Sequence, residues 1–129
     1  MPLVRVDALE GRSTHEIATL LDAVHRALVE AFHIPLRDRY QVYQEHRPGR
    51  LVVEDTGLGL VRTEKVVVIS ITSRPRAQAD RLQLYKILSR ELESACGIEP
   101  SDVVVSLVSN TDADWSFGNG EAQFITGKL

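Results

Sequence analysis

The sequence predicts an α+β fold in which two tandem βαβ units form one four-stranded mixed sheet with two helices on one face. Three observations lead there. The order strand, turn, helix, strand occurs twice, displaced by about 64 residues, so that Leu20 falls on Leu84, Arg26 on Arg90 and Leu28 on Leu92. Within each copy the apolar period changes from strand-like runs to a three- and four-residue helical spacing. The chain has 129 residues and 43% hydrophobic content, enough for the core of one domain spanning 1–129 and too little for two independent ones.

The first unit covers about 2–46. Leu3-Val4-Arg5-Val6 alternates as a strand does, and Glu10-Gly11-Arg12 makes a turn. Ser13 or Thr14 then serves as N-cap, with Glu16 in the first turn of a helix. Ile17, Leu20, Leu21, Val24, Leu28 and Ala31 give that helix one apolar face. Pro35 ends the segment because it biases the residue before it away from helix, and a strand follows from about Arg39 to Glu45. Arg47-Pro48-Gly49-Arg50 is a turn, Leu51 to Asp55 reads as a short strand, and Thr56-Gly57-Leu58-Gly59 reads as another turn. The Gly-x-Gly lacks the strand-to-helix context of a dinucleotide loop.

The second unit covers about 65–109. Lys65 to Ile71 is a nearly continuous apolar strand. A helix follows with the stripe Leu82, Leu84, Tyr85, Leu88, Leu92 and Ala95, closed by Gly97. Ile98 to Asp102 leads into the strand Val103 to Val108, as Ile34 to Asp38 leads into the strand around Val42. Each unit pairs two parallel strands through a helical crossover. The strands at 66–71 and 103–108 are apolar on both faces, so the sheet face without helices is expected to be covered by other subunits. Residues 110–129 are polar and turn-rich yet carry Trp115, Phe117 and Phe124, which suits a pocket wall or a cap on a neighbouring subunit.

Several classes of function fall away on composition. A net charge of -3 with interspersed signs offers no basic footprint for nucleic acid and no polybasic membrane patch. The amino terminus lacks the apolar run of a signal peptide, and no stretch approaches the roughly 18 apolar residues of a span, which points to the cytoplasm. The single cysteine, Cys96, closes an apolar stripe and reads as a packed core thiol. His15, His25, His33 and His46 lack metal-ligand spacing.

Pro2 is the residue with the most distinctive chemistry. With Met1 removed it offers a secondary amine, although by itself a proline here is also an ordinary start to a strand. Pro2 opening a strand, the turn Glu10-Gly11-Arg12-Ser13 and the βαβ unit resemble the tautomerase superfamily, whose short form is a single unit. Asp38 in Arg37-Asp38-Arg39-Tyr40, the run Glu54-Asp55-Thr56-Gly57-Leu58-Gly59, Ser73-Arg74-Pro75-Arg76, and Asp112-Ala113-Asp114-Trp115-Ser116-Phe117-Gly118 are similar to its malonate semialdehyde decarboxylase branch, across essentially the whole chain.

That resemblance implies a trimer, a small carboxylate substrate, no metal or organic cofactor, and decarboxylation of a 3-oxo acid to acetaldehyde and carbon dioxide. It implies Pro2 as catalytic amine, Asp38 as its carboxylate partner, Arg74 and Arg76 as the substrate-carboxylate clamp, and Trp115, Phe117, Phe124 and Leu129 as a hydrophobic wall. Arg12, which falls on Arg76 in the duplication, matches a substrate arginine of the short members. The physics is consistent with this: arginine presents a fork suited to a carboxylate, and in an extended segment Arg74 and Arg76 project to one side. Each assignment has a plainer counterpart. The arginines also read as solvated charges after a strand, and Asp38 as a turn aspartate like Asp102 at the duplicated position.

An ionised Asp38 beside the amine would keep it protonated at neutral pH, able to polarise an aldehyde oxygen, whereas a neutral amine would form a Schiff base. The same scaffold also suits a tautomerase or a hydratase of a 2-oxo or unsaturated acid. Val29 stands where the related dehalogenases carry a first-helix histidine, which counts against that chemistry. A non-enzymatic binding protein of this fold is the alternative from another class.

Overall fold

A computed structural model describes residues 1–129. The strands β1 (Leu3–Leu9), β2 (Tyr40–His46), β3 (Val67–Ser73) and β4 (Val103–Ser109) form one sheet in the order β2-β1-β3-β4. β1 pairs in parallel with β2, and β3 with β4. The two units join through the antiparallel pair β1 and β3, with Leu3 opposite Thr72 and Ala8 opposite Val67. This is the mixed sheet that the duplication predicts.

The helices α1 (Thr14–Phe32) and α2 (Gln78–Cys96) pack on each other and on one face of the sheet. Val4, Val6 and Ala8 of β1 and Val67, Ile69 and Ile71 of β3 point into this layer, as the period of two requires. Leu20, Val24 and Leu28 from α1 and Leu84, Leu88 and Leu92 from α2 complete the core. Ser13 caps α1: its hydroxyl accepts from the Glu16 backbone N–H at 3.1 Å, and the Glu16 carboxylate accepts from the Ser13 N–H at 2.9 Å. Gly97 ends α2 in the left-handed region, at φ 65°.

Two expectations need correction. The α2 stripe is Leu84, Ile87, Leu88 and Leu92; Leu82 is 51% exposed and Tyr85 also faces outward. Leu84, Leu88 and Leu92 already define a face on the four-residue row, and Ile87 lies on it at the three-residue step whereas Leu82 does not. The segment 51–55 is not a strand, because it has no partner in the sheet. Its polar groups are met locally. The Asp55 carboxylate accepts from the N–H groups of Gly57 (3.1 Å) and Gly59 (2.9 Å), and Arg62 donates to the carbonyls of Glu54 and Ser101. Cys96 is half-buried at the margin of the core, and burial raises its thiol pKa.

The other sheet face has no helix. It presents Leu3, Val42 and Val108 beside a polar row in which Asp7 pairs with His46 at 2.7 Å and with Arg5 at 3.6 Å. No helix of the chain is long and apolar enough to cross a membrane.

At the far end of β4, Asp102 is fully buried and anchors the chain entering β3. It accepts from the Thr63 N–H at 2.8 Å and from the Thr63 hydroxyl. Asp102→Ala leaves that N–H without a partner and is expected to cost about 1–3 kcal/mol, read as a lower midpoint in urea unfolding at unchanged slope.

Candidate functional site

The antiparallel register of β1 on β3 determines which residues meet at the start of the chain. Because Leu3 lies opposite Thr72, residues 1 and 2 emerge beside the segment that follows β3, which carries Arg74 and Arg76. Asp38 stands in the turn just before β2, whose first residue, Tyr40, is also opposite Leu3. Pro2 is buried, and so is Met1 at 8% exposure, although Met1 does not belong to the main apolar cluster.

The amine that begins the chain, here that of Met1, reports the local field. Burial lowers its pKa most, and then Arg76 and Arg74 lower it further, while Asp38 and Asp112 push it up; the net direction is downward from 8.0. At this amine desolvation and two guanidiniums outweigh two carboxylates, and Asp38 is the larger of the two upward influences. With Met1 in place the Pro2 nitrogen is an amide and carries no proton to exchange. Once Met1 is gone, the free amine is that of Pro2, one residue further along the buried chain start.

Each arginine is held in place. Arg76 Nε donates to the Ser73 hydroxyl at 3.2 Å, its Nη1 reaches the Phe32 carbonyl at 3.4 Å, and its guanidinium lies 4.8 Å over the Phe32 ring. Arg74 Nη1 donates to Asp112 at 3.0 Å, and its guanidinium lies 3.8 Å from the Phe124 ring centroid. Arg74 Nε has no hydrogen-bond partner, a donor that the protein leaves unspent. Half-exposed ion pairs like Arg74–Asp112 are worth at most about 1 kcal/mol, so this one orients the guanidinium more than it stabilises the fold.

Asp38 and Asp102 occupy equivalent positions and have opposite fates. Asp102 is spent on Thr63, whereas only the backbone of Asp38 is engaged, its N–H donating to the Pro35 carbonyl at 3.0 Å. The turn that carries Asp38 is pinned by buried His25, whose Nε2–H donates to the Leu36 carbonyl at 2.7 Å. A carbonyl can only accept, which assigns the proton to Nε2.

The aromatic wall assembles from the segment after β4. Phe117 is its hub: Trp115 stacks on it at 5.4 Å, Phe124 meets it edge-on at 5.4 Å, and Tyr40 lies at 5.5 Å. Polar staples set this arrangement. Asn110 N–H donates to the Ser73 carbonyl (2.9 Å) and its side chain accepts from the Trp115 indole (2.7 Å). Gln123, in the short helix α3 (Gln123–Thr126), accepts from the Phe117 N–H and donates to the Gly118 carbonyl, both at 2.9 Å.

Two expected residues do not join. Leu129 is 59% exposed at the chain end, beyond the left-handed turn at Gly127. Arg12 lies at the opposite end of β1, where its Nη2 donates to the Lys65 carbonyl at 2.9 Å. The reason is topological: β1 and β3 run antiparallel, so equivalent positions of the two units lie at opposite ends of the sheet. The Arg12 end has Val66 where Pro2 would be, and a cleft of about 220 Å³ lined by His15, Glu16, Thr19 and Cys96. The sequence reading gave no role to Tyr40, Asp112, Ser73 or His25. Tyr40 and Asp112 stood inside recognised motifs, and only the pairing of strands and the fold of 110–124 shows what they touch. No cluster of three or more His, Cys, Asp or Glu side chains is arranged to hold a metal ion.

Two family models, each described as tautomerase enzyme, match residues 38–118 and 2–60. A "probable tautomerase", YrdN of Bacillus subtilis (strain 168), is 50% identical over 129 residues, all of both chains. Among solved structures, a malonate semialdehyde decarboxylase studied for its decarboxylase and hydratase activities is 51% identical, with TM-score 0.97 over 98% of each chain. The FG41 malonate semialdehyde decarboxylase inhibited by 3-bromopropiolate is 38% identical, with TM-score 0.94 over 98% of this chain and 97% of that one.

The sole tryptophan lets the wall be tested directly. Gln123→Ala removes both staples to the 117–118 turn, and acrylamide quenching of Trp115 fluorescence is expected to rise. Because Gln123 lies outside the core, the melting temperature should fall by only a few degrees, as about 1 kcal/mol implies.

Proposed function

The chain belongs to the tautomerase family, and on that premise we propose that it is a cofactor-independent decarboxylase of a small 3-oxo acid, malonate semialdehyde being the model substrate. The observation that carries the proposal is the convergence of the chain start, Asp38, Arg74 and Arg76 beside an aromatic wall. The 51% identity to a malonate semialdehyde decarboxylase supports the same reading.

In this reading Arg74 and Arg76 hold the substrate carboxylate, and the Pro2 amine, freed by removal of Met1, faces the aldehyde oxygen. The arginines turn the C1–C2 bond across the carbonyl plane, so the electrons released as carbon dioxide departs flow into the carbonyl. The resulting enolate is stabilised by the ammonium of Pro2 and takes a proton at C2 to give acetaldehyde. The wall of Trp115, Phe117 and Phe124 favours a step in which a carboxylate loses its charge. Arg12 and Leu129 are given no part within one chain. The exposed apolar residues Leu3, Val42 and Val108 on the open sheet face support burial of that face against other copies, and the assembly in this reading is a cytoplasmic homotrimer.

A second reading is favoured by a specific observation. Burial depresses the pKa of the Met1 amine, and if the same burial acts on the Pro2 amine one residue further in, that amine is neutral and a general base for keto-enol tautomerisation of a 2-oxo acid. The 50% identical YrdN, named a probable tautomerase, agrees with it.

Mass-verified protein lacking Met1 is expected to release acetaldehyde and carbon dioxide from malonate semialdehyde, and Pro2→Ala to lose at least about 100-fold in kcat/KM. Full turnover by Pro2→Ala would sink the amine mechanism. Tautomerisation without carbon dioxide release would transfer the assignment to the second reading.

The pH profile separates the two charge states. Asp38 raises the amine pKa, so Asp38→Asn lowers it further. If the cation is the active form, activity falls above the amine pKa, and Asp38→Asn moves that basic limb to lower pH. If the neutral amine acts, the acid limb is the one that moves to lower pH.

A further inference from the structure

The charges around the chain start are nearly balanced. Arg74 is paired with Asp112, while Asp38 and Asp80 both face Arg76. The acids offset the guanidiniums, so the site holds little cationic charge beyond what one carboxylate needs. Of the other cations on these segments, Arg39 is paired with Asp22 at 2.7 Å and Lys128 with Glu121 at 2.6 Å, while Arg37, next to Asp38, is exposed. Beyond Arg74 the site turns aromatic, with Phe124 over the guanidinium and Phe117, Tyr40 and Trp115 behind it. Such a site can neutralise one carboxylate, and a second would be placed against Asp112 or against aromatic faces without a counter-charge.

We propose that Asp112 is a specificity-determining residue: by occupying Nη1 of Arg74 it restricts the site to monocarboxylates with an uncharged far end and excludes dicarboxylates. This rests on the reading that the site binds an organic acid, and not on which reaction follows. The Arg74–Asp112 contact is 3.0 Å, and both side chains are partly solvent-exposed, so Asp112 can be changed without opening the core. Replacing it by Asn keeps the size and an acceptor oxygen but removes the negative charge, which frees the guanidinium for a second carboxylate.

The test uses Met1-free protein and two unreactive probes, propanoate and butanedioate, with binding followed by Trp115 fluorescence and by calorimetry at constant ionic strength. The wild type is expected to bind propanoate at least about ten-fold more tightly than butanedioate. Asp112→Asn should tighten butanedioate by about ten-fold more than it changes propanoate, Asp112→Ala should shift the ratio in the same direction, and Asp112→Glu should restore the wild-type ratio. An unchanged ratio in Asp112→Asn, or a wild type that holds butanedioate as tightly as propanoate, would overturn the proposal, as would binding of neither probe. Turnover of malonate semialdehyde is measured beside it. A shifted ratio with no turnover would leave the role of Asp112 standing and remove the decarboxylase assignment alone.

Discussion

The site depends first on the antiparallel pairing of β1 with β3. Each βαβ unit is parallel within itself, and a parallel pair alone would leave the start of the chain at a sheet edge with nothing facing it. Setting Leu3 opposite Thr72 brings the first residues of one unit against the residues that leave the third strand of the sheet. Arg74, at a bend, and Arg76 follow immediately, and both guanidiniums act on the amine at the chain start. The same pairing sends Arg12, the equivalent of Arg76, to the other end. One chain therefore carries two ends with the same ancestry, of which one gathers the amine and the arginines and the other has Val66, Glu10 and an Asp102 already spent on Thr63.

Charge balance is the second constraint. Placing two guanidiniums beside a half-buried amine is unfavourable unless carboxylates offset them, and Asp38 and Asp112 do so from different segments. They are not equivalent. Asp112 is bonded to Arg74, while the Asp38 carboxylate is left uncommitted on a turn that His25 pins from within α1. A rigid turn with a free carboxylate is available to a ligand, whereas a bonded carboxylate orients its partner. The aromatic segment adds a low-dielectric side to the same space, where polar staples from Asn110 and Gln123 substitute for a regular element.

Much of this was legible in the linear chain, for physical reasons. Periodicity exposes helices and strands because burial on one face repeats at a fixed step, so α1, with its Ser13 cap, and the four strands could be placed closely. The doubling revealed the sheet, since two βαβ units have few ways to share one. Pro2, Arg74, Arg76 and Asp38 were singled out because short motifs around them resemble the tautomerase superfamily. The failures also have causes. Leu82 and Tyr85 were counted into the stripe for being apolar, although the row of Leu84, Leu88 and Leu92 leaves Leu82 off the buried face. The segment 51–55 has strand-forming composition, but a strand needs a neighbour, and neighbours are not written locally.

What the sequence by itself determined is the set of elements and their duplication, which follow from local sterics and patterning, and a set of candidate site residues, which follow from side-chain chemistry and the resemblance of short motifs. Which of those groups meet was decided only by the tertiary structure. Arg12 and Arg76 are indistinguishable by alignment within the chain and are separated by the direction in which β1 and β3 run. Asp38 and Asp102 are likewise matched in sequence, yet one is buried and satisfied while the other faces an amine. Tyr40 and Asp112 gain their places through contacts between segments far apart in the chain, and long-range pairing of that kind has no signature in local spacing.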